Sequence, residues 1–200
     1  MKNILIVAVV LFALGLFTYQ RITAIIDESN QEIKIRGIRP VLADGVIKSY
    51  TKPPKEVIKE KLTKTQYEVT QLSGTEMAFY NIYWNHYEEG IYVDIVTGEP
   101  LFSSLDKYDS NKGWPAFSKP LVKENVIESS QKFALKMEKV IRSRYGNTYL
   151  GRIHDDLTRD TGVQYLVNSD ALLFIPKANL EKQGYPQFMK LFEKQASIIR

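Results

Sequence analysis

The chain has 200 residues, 44% of them apolar and 25% charged, which fits one globular domain with extra segments; a body of about 145 residues buries roughly two thirds of its unfolded surface and needs no covalent staple. It contains no cysteine, which excludes disulfides, thiolate metal sites and any chemistry that starts from a thiol of its own. The formal charge is +4, with 27 basic residues dispersed among 23 acids, so no nucleic-acid partner is expected and attraction to an anionic membrane surface is modest at most.

Residues Ile4 to Phe17 are an unbroken apolar and glycine run, with Lys2 before it and Arg21 after it. Extended through Tyr19 it is short for a membrane-spanning helix, for which roughly 17–25 residues are usual, and long for a signal-peptide core. The stretch Tyr19-Gln20-Arg21-Ile22-Thr23-Ala24 offers no small-x-small cleavage site. Residues 1–20 are therefore read as an uncleaved signal anchor, with a cleaved signal as the alternative. Lys2 and the free amine favour a cytoplasmic N-terminus, which makes the protein single-pass in the cell membrane with its domain extracytoplasmic. Residues 21–52 are read as a juxtamembrane stalk, in which Gln31 to Arg36 alternates as a strand does.

The folded domain is expected over 53–200. Pro53-Pro54 before Lys55 to Leu62 predicts a helix start, and a second short helix is expected from Thr63. Beyond residue 90 the period changes. Ile91, Val93 and Ile95 alternate, Thr97-Gly98 marks a turn, and Tyr165, Val167 and Leu172 to Ile175 give further β-rich runs. Glu181 to the C-terminus reads as a terminal helix that Pro186 begins. The residues alone thus predict a mainly antiparallel β domain with short N-terminal helices.

A series of spaced motifs runs through this domain. Gly74-Thr75-Glu76, Asn81-x-Tyr83-Trp84 and Gly90-Ile91-Tyr92-Val93-Asp94 are followed by Gly98-x-Pro100-Leu101-Phe102-Ser103-Ser104, Lys107-Tyr108-Asp109-Ser110 and Gly113-Trp114-Pro115-x-Phe117. Arg142-Ser143-Arg144, Leu150-Gly151, Gln164-Tyr165-Leu166-Val167-Asn168-Ser169, Phe174-Ile175-Pro176-Lys177 and Gly184-Tyr185 complete the order. In kind and sequence these resemble the methionine-R-sulfoxide reductases (MsrB) over roughly residues 62–186. That resemblance implies a twisted two-sheet, barrel-like antiparallel fold.

It also implies a site whose reactive atom is missing. The family's active strand reads Arg-Tyr-Cys-(Ile/Val)-Asn-Ser, so Leu166 stands at the nucleophile and Gln164 at the guanidinium. The family's two histidines fall on Tyr149 and Arg152, and the resolving thiol on Lys112. Its two Cys-x-x-Cys zinc pairs fall on Asp94/Thr97 and Ser143/Gly146, so neither a metal nor any other cofactor is expected. Sulfoxide reduction in the family begins with a thiolate attacking sulfur while an acid protonates the oxygen, and leucine has neither a lone pair nor an ionisable proton. The resemblance leaves Trp114, which packs against the substrate methyl in the family, and Asn168 as the substrate-binding positions, with Arg152 or Tyr149 as donors to a sulfoxide oxygen. Unless Arg152 reaches that oxygen, the bulk of Leu166 should favour the thioether over the sulfoxide. Trp114 and Phe117 are equally readable as core residues.

Of the two histidines, His86 is expected on the surface or in a loop, and His154, ahead of Asp155-Asp156, suggests an imidazole-carboxylate pair or, with no further ligand cluster in the sequence, a weak metal site. The expectation is a degenerate, membrane-anchored MsrB-like protein that binds oxidised methionine-containing protein or a partner reductase. The alternatives are a peptide-methionine (R)-S-oxide reductase and a structural envelope module.

Overall fold

The computed structural model describes residues 50–198; the expected anchor at 1–20 and nearly all of the expected stalk lie outside these residues. Two short helices come first. In α1 (Lys55–Lys61), the Pro54 carbonyl accepts from Ile58 N at 3.1 Å, so the proline sits where its missing N–H costs nothing. A capping box opens α2 (Lys64–Leu72), with Gln66 N donating to Thr63 Oγ1 and Thr63 N donating to Gln66 Oε1. It ends where Ser73 turns left-handed at φ 60°.

Nine strands follow: β1 (Gly90–Asp94), β2 (Pro100–Ser103), β3 (Lys107–Tyr108), β4 (Ala116–Phe117), β5 (Val126–Phe133), β6 (Lys136–Ser143), β7 (Tyr149–Asp155), β8 (Val163–Val167) and β9 (Leu172–Pro176). They form a three-stranded sheet in the order β2-β1-β9 and a six-stranded sheet in the order β3-β4-β8-β7-β6-β5, with antiparallel pairing throughout. The two sheets remain separate and close no barrel, which corrects the barrel-like expectation. A 3-10 turn at Pro186–Phe188 leads into α3 (Met189–Ile198), so Pro186 does begin the terminal helical segment. No helix among the described residues is long and apolar enough to cross a membrane.

The core explains the alternation of Ile91 and Val93 along β1. Tyr92 packs with Phe102, Phe117, Leu150 and Val167, whereas Ile91 and Val93 pack with Leu180, Tyr185 and Phe192. Being central in its sheet, β1 is buried at every position. Its alternation therefore separates two apolar environments rather than core from solvent. Ile95 lies beyond the strand and joins Val96, Ile58 and Leu62 under α1. His86 lies in the loop before β1 as expected, but half-buried there, since its ring meets Phe174 edge-on at 4.3 Å and Nδ1 lies 2.9 Å from the Tyr92 hydroxyl.

Candidate active-site cleft

The pairing of β7 with β8 assembles the site. Gly151 faces Val167, Arg152 faces Leu166 and His154 faces Gln164, while Ala116 of β4 flanks Leu166 on its other side. Gly151 is required here. Its φ is +153°, and a Cβ would lie 2.1 Å from the Leu166 carbonyl oxygen, so only glycine lets the strands approach this closely.

A cleft of about 280 Å³ opens above this pairing. Leu166, Tyr149, Arg152, Lys112, Trp114 and Asn168 all line it, together with Thr75 and His154. Positions up to 93 residues apart in sequence thus converge on one cavity (Thr75 to Asn168). Gln164 is the exception, buried beside the cleft rather than lining it. Its amide oxygen accepts from Lys112 Nζ at 2.8 Å and its Nε2 donates to the Tyr108 hydroxyl at 2.7 Å. The charge that the resemblance assigns to position 164 is therefore supplied by Lys112, held against a neutral amide.

Tyr149 is fully buried, and its hydroxyl has no hydrogen-bond partner among the described residues. Tyr149 lines the cleft, and leaving its buried O–H unsatisfied costs about 1–3 kcal/mol, so an acceptor that reached it would be favoured. Arg152 is already engaged. Its Nε lies 2.8 Å from Glu138 Oε2, although the contact is too bent to be a directed hydrogen bond, and its guanidinium covers the Phe133 ring at 5.2 Å. His154 sits at the rim, where partial burial and then the nearby Lys112 and Arg152 cations hold its pKa below the usual histidine value. Asp155 goes to Lys139 and Asp156 to Thr158, so the expected imidazole-carboxylate pair is not what these acids form.

Asn168 lines the cleft and also holds the backbone beside it. Its Oδ1 accepts from Glu76 N at 3.2 Å, its Nδ2 donates to the Leu150 carbonyl at 3.1 Å, and its own N–H reaches the same carbonyl at 2.8 Å. Most of the amide is spent on holding the backbone. Glu76 completes the lock, as its two carboxylate oxygens accept from Ser169 N and Asp170 N while its carbonyl accepts from Trp114 Nε1 at 3.3 Å. Burial raises the Glu76 pKa to about 7 despite the amides that favour its ionised form. The sequence shows Gly74-Thr75-Glu76 only as a motif; that Thr75 lines the cleft and Glu76 braces it depends on partners more than ninety positions away. Phe117 resolves as core, stacked on Phe102 at 4.5 Å, whereas Trp114 is half-buried on the cleft wall.

The four positions aligned with zinc-binding cysteines also converge, around a carboxylate. Ser143 Oγ donates to Asp94 Oδ2, Thr148 Oγ1 to Asp94 Oδ1, and Thr97 Oγ1 to Glu99 Oε1. A Cβ on Gly146 would lie 2.3 Å from Asp94 Oδ2, so the acid occupies the room that this glycine leaves. Burial first of all raises the pKa of both Asp94 and Glu99. Hydroxyls and one carboxylate do not make a soft tetrahedral site, and among the described residues no group of three or more His, Cys, Asp or Glu could hold a metal.

A profile of the SelR domain matches residues 62–176. The chain belongs to the SelR (MsrB) family. It is 46% identical over 147 residues to the peptide methionine sulfoxide reductase MsrA/MsrB of Vibrio cholerae serotype O1, an alignment covering 74% of this chain and 39% of that protein. The SelR chain thus spans about two fifths of that relative's length. Its SelR segment ends at Pro176, the last residue of β9, and so contains every residue of the cleft.

Proposed function

We propose that this SelR-family protein binds methionine sulfoxide side chains of oxidised proteins, or a reductase that carries them, without reducing them by a thiol of its own. The single observation that carries this reading is a cleft lined by Trp114, Leu166 and Tyr149, the last with a buried hydroxyl that has no hydrogen-bond partner among the described residues. A methionine sulfoxide presents a methyl group and thioalkyl chain to the apolar walls, and a strongly accepting S–O oxygen to the hydroxyl. Arg152, engaged by Glu138, is left as a secondary donor. The apolar run from Ile4 to Phe17 supports a further proposal, that the domain is held at the cell membrane on its outer side. Retention on membranes after a carbonate wash, with digestion by protease added to intact protoplasts, is the expected result; protection from the protease would reverse the orientation.

The binding reading is tested by titrating N-acetylmethionine amide and its R-sulfoxide while following tryptophan fluorescence, with Trp114→Phe separating the cleft signal from that of Trp84. A few-atom ligand should bind in the millimolar range, about −4 kcal/mol, with the sulfoxide ahead of the thioether. No response of Trp114 at tens of millimolar would make the domain a structural module.

The second reading, peptide-methionine (R)-S-oxide reductase, is favoured by the 46% identity to a protein named peptide methionine sulfoxide reductase MsrA/MsrB. It requires the first sulfur bond to come from a thiol outside this chain. Stoichiometric methionine formation from the R-sulfoxide with dithiothreitol or thioredoxin, above a protein-free control, would establish it.

A further inference from the structure

Beside the cleft lies a second concavity of about 440 Å³, and Thr75 lines both. One wall is apolar and uncovered, for Met77, Tyr80 and Ile82 are 69%, 83% and 55% exposed. The other wall is acidic and comes from Glu68 of α2 and Asp170 after β8, with Glu76 between. Glu68 is half exposed and meets Lys64 only at 3.9 Å, a surface pair of little strength. Burial raises the Asp170 pKa above the usual carboxylate value, and the Thr65 hydroxyl works against that rise by bonding the ionised form. Nothing in the binding proposal uses this groove.

We infer that the groove docks the polypeptide that presents the methionine, accepting a lysine or arginine and an adjacent apolar side chain next to the residue in the cleft. This rests on the reading of the cleft as a methionine-side-chain site and names the partner of that site. The three exposed apolar side chains cover a neighbouring Leu, Ile or Val and the methylene stem of a basic residue, whose charged head stays within reach of Glu68 and Asp170. Met77 in particular adapts its shape to different neighbours. An acidic flank would set like charges together and be rejected. Because Thr75 lines both concavities, a chain leaving the cleft needs only a few residues to reach the groove, each residue advancing about 3.3 Å when extended.

The test titrates the full chain with short peptides that place Lys-Leu, Glu-Leu or Gly-Gly on either side of methionine R-sulfoxide. Each exposed ion pair contributes about threefold, so the Lys-Leu peptide should bind roughly tenfold more tightly than the Glu-Leu peptide at low salt. That gap should shrink below about twofold in high salt, and likewise in the Glu68→Gln, Asp170→Asn double variant. N-acetylmethionine sulfoxide amide, which reaches only the cleft, should bind both proteins equally. Equal affinity for all three peptides would overturn the groove while leaving the cleft intact. If the single amino-acid amide fails to bind, the cleft reading falls, and a Lys-Leu peptide carrying norleucine in place of the sulfoxide decides the groove alone. Salt-sensitive binding lost in the double variant supports it, and no binding overturns it.

Discussion

Leu166 and Tyr149 share a cleft with Trp114, and between them they set what the site can hold. Replacing Tyr149 by phenylalanine removes the orphan hydroxyl and nothing else of the ring. Sulfoxide affinity should fall about threefold to tenfold, the net value of one hydrogen bond, while thioether affinity stays the same. Titrating both ligands against the Tyr149→Phe variant checks this. Leu166→Cys by itself should remain below about one turnover per second, because the donor offered to the leaving oxygen is the Tyr149 phenol rather than an imidazolium, and well-matched acid catalysis contributes about 10²–10⁴-fold. Adding Tyr149→His and Arg152→His with Gln164→Arg should recover more than the separate effects combined. Lys112 lies 2.8 Å from the Gln164 amide, so the new arginine will need Lys112→Ser as well to avoid two adjacent cations. Steady-state rates of the series decide the matter. These positions were legible in the sequence because the motif order carries them. The bracing role of Asn168 was not, since its partner Glu76 is 92 residues away and no local pattern encodes that contact.

At the scale of elements, the cleft depends on the close approach of β7 to β8. Gly151→Ala places a methyl group against the Leu166 carbonyl at 2.1 Å in a backbone conformation that disfavours side chains. We expect a loss of at least about 2 kcal/mol, seen as a melting temperature lower by about 4–8 °C, together with loss of ligand binding. The Asp94 and Gly146 pair makes a similar prediction with a built-in control: Gly146→Ala should destabilise more in the wild-type background than with Asp94→Ala, which removes the nearest clash and leaves only the Thr148 and Ser143 hydroxyls, at 2.6 and 2.8 Å, to give way. Helix starts at Pro54 and Thr63 and strands β1, β8 and β9 were readable from capping chemistry and alternation. The β5 strand was not. Its residues Glu128 to Lys132 are polar and exposed or half-exposed because β5 is the outer strand of its sheet, so no apolar period marks it. Ile95 misled for the opposite reason, continuing the alternation of β1 while packing under α1.

For the whole molecule, buried carboxylates set the response to pH. The folded-state pKa of Glu76 is raised to about 7, above its ordinary 4.5, so the folded protein holds a proton that the unfolded chain has already released. Stability from this group is present below about pH 4.5 and is lost as pH rises through 7. Asp94 and Glu99 act in the same direction. His86 and His154, with lowered pKa values, oppose it below pH 6.5, and Lys107, lowered to about 8, adds stability between there and pH 10.5. Denaturant midpoints should therefore fall between pH 5 and pH 7.5, with a shallower fall in Glu76→Gln, which carries no charge to bury. An unchanged slope in that variant would assign the effect elsewhere.

The central claim, recognition of the sulfoxide without thiol chemistry, is reached most directly by one NMR experiment. A methionyl peptide with a ¹³C-labelled methyl group, oxidised to the R-sulfoxide, is incubated with the protein and a thiol reductant, and the methyl resonance is followed over time. The account predicts saturation transfer from protein to the sulfoxide methyl, weakened in Tyr149→Phe, with no thioether methyl signal above the protein-free control. Growth of the thioether signal with protein present, or a sulfoxide methyl that receives no transfer at all, would contradict it.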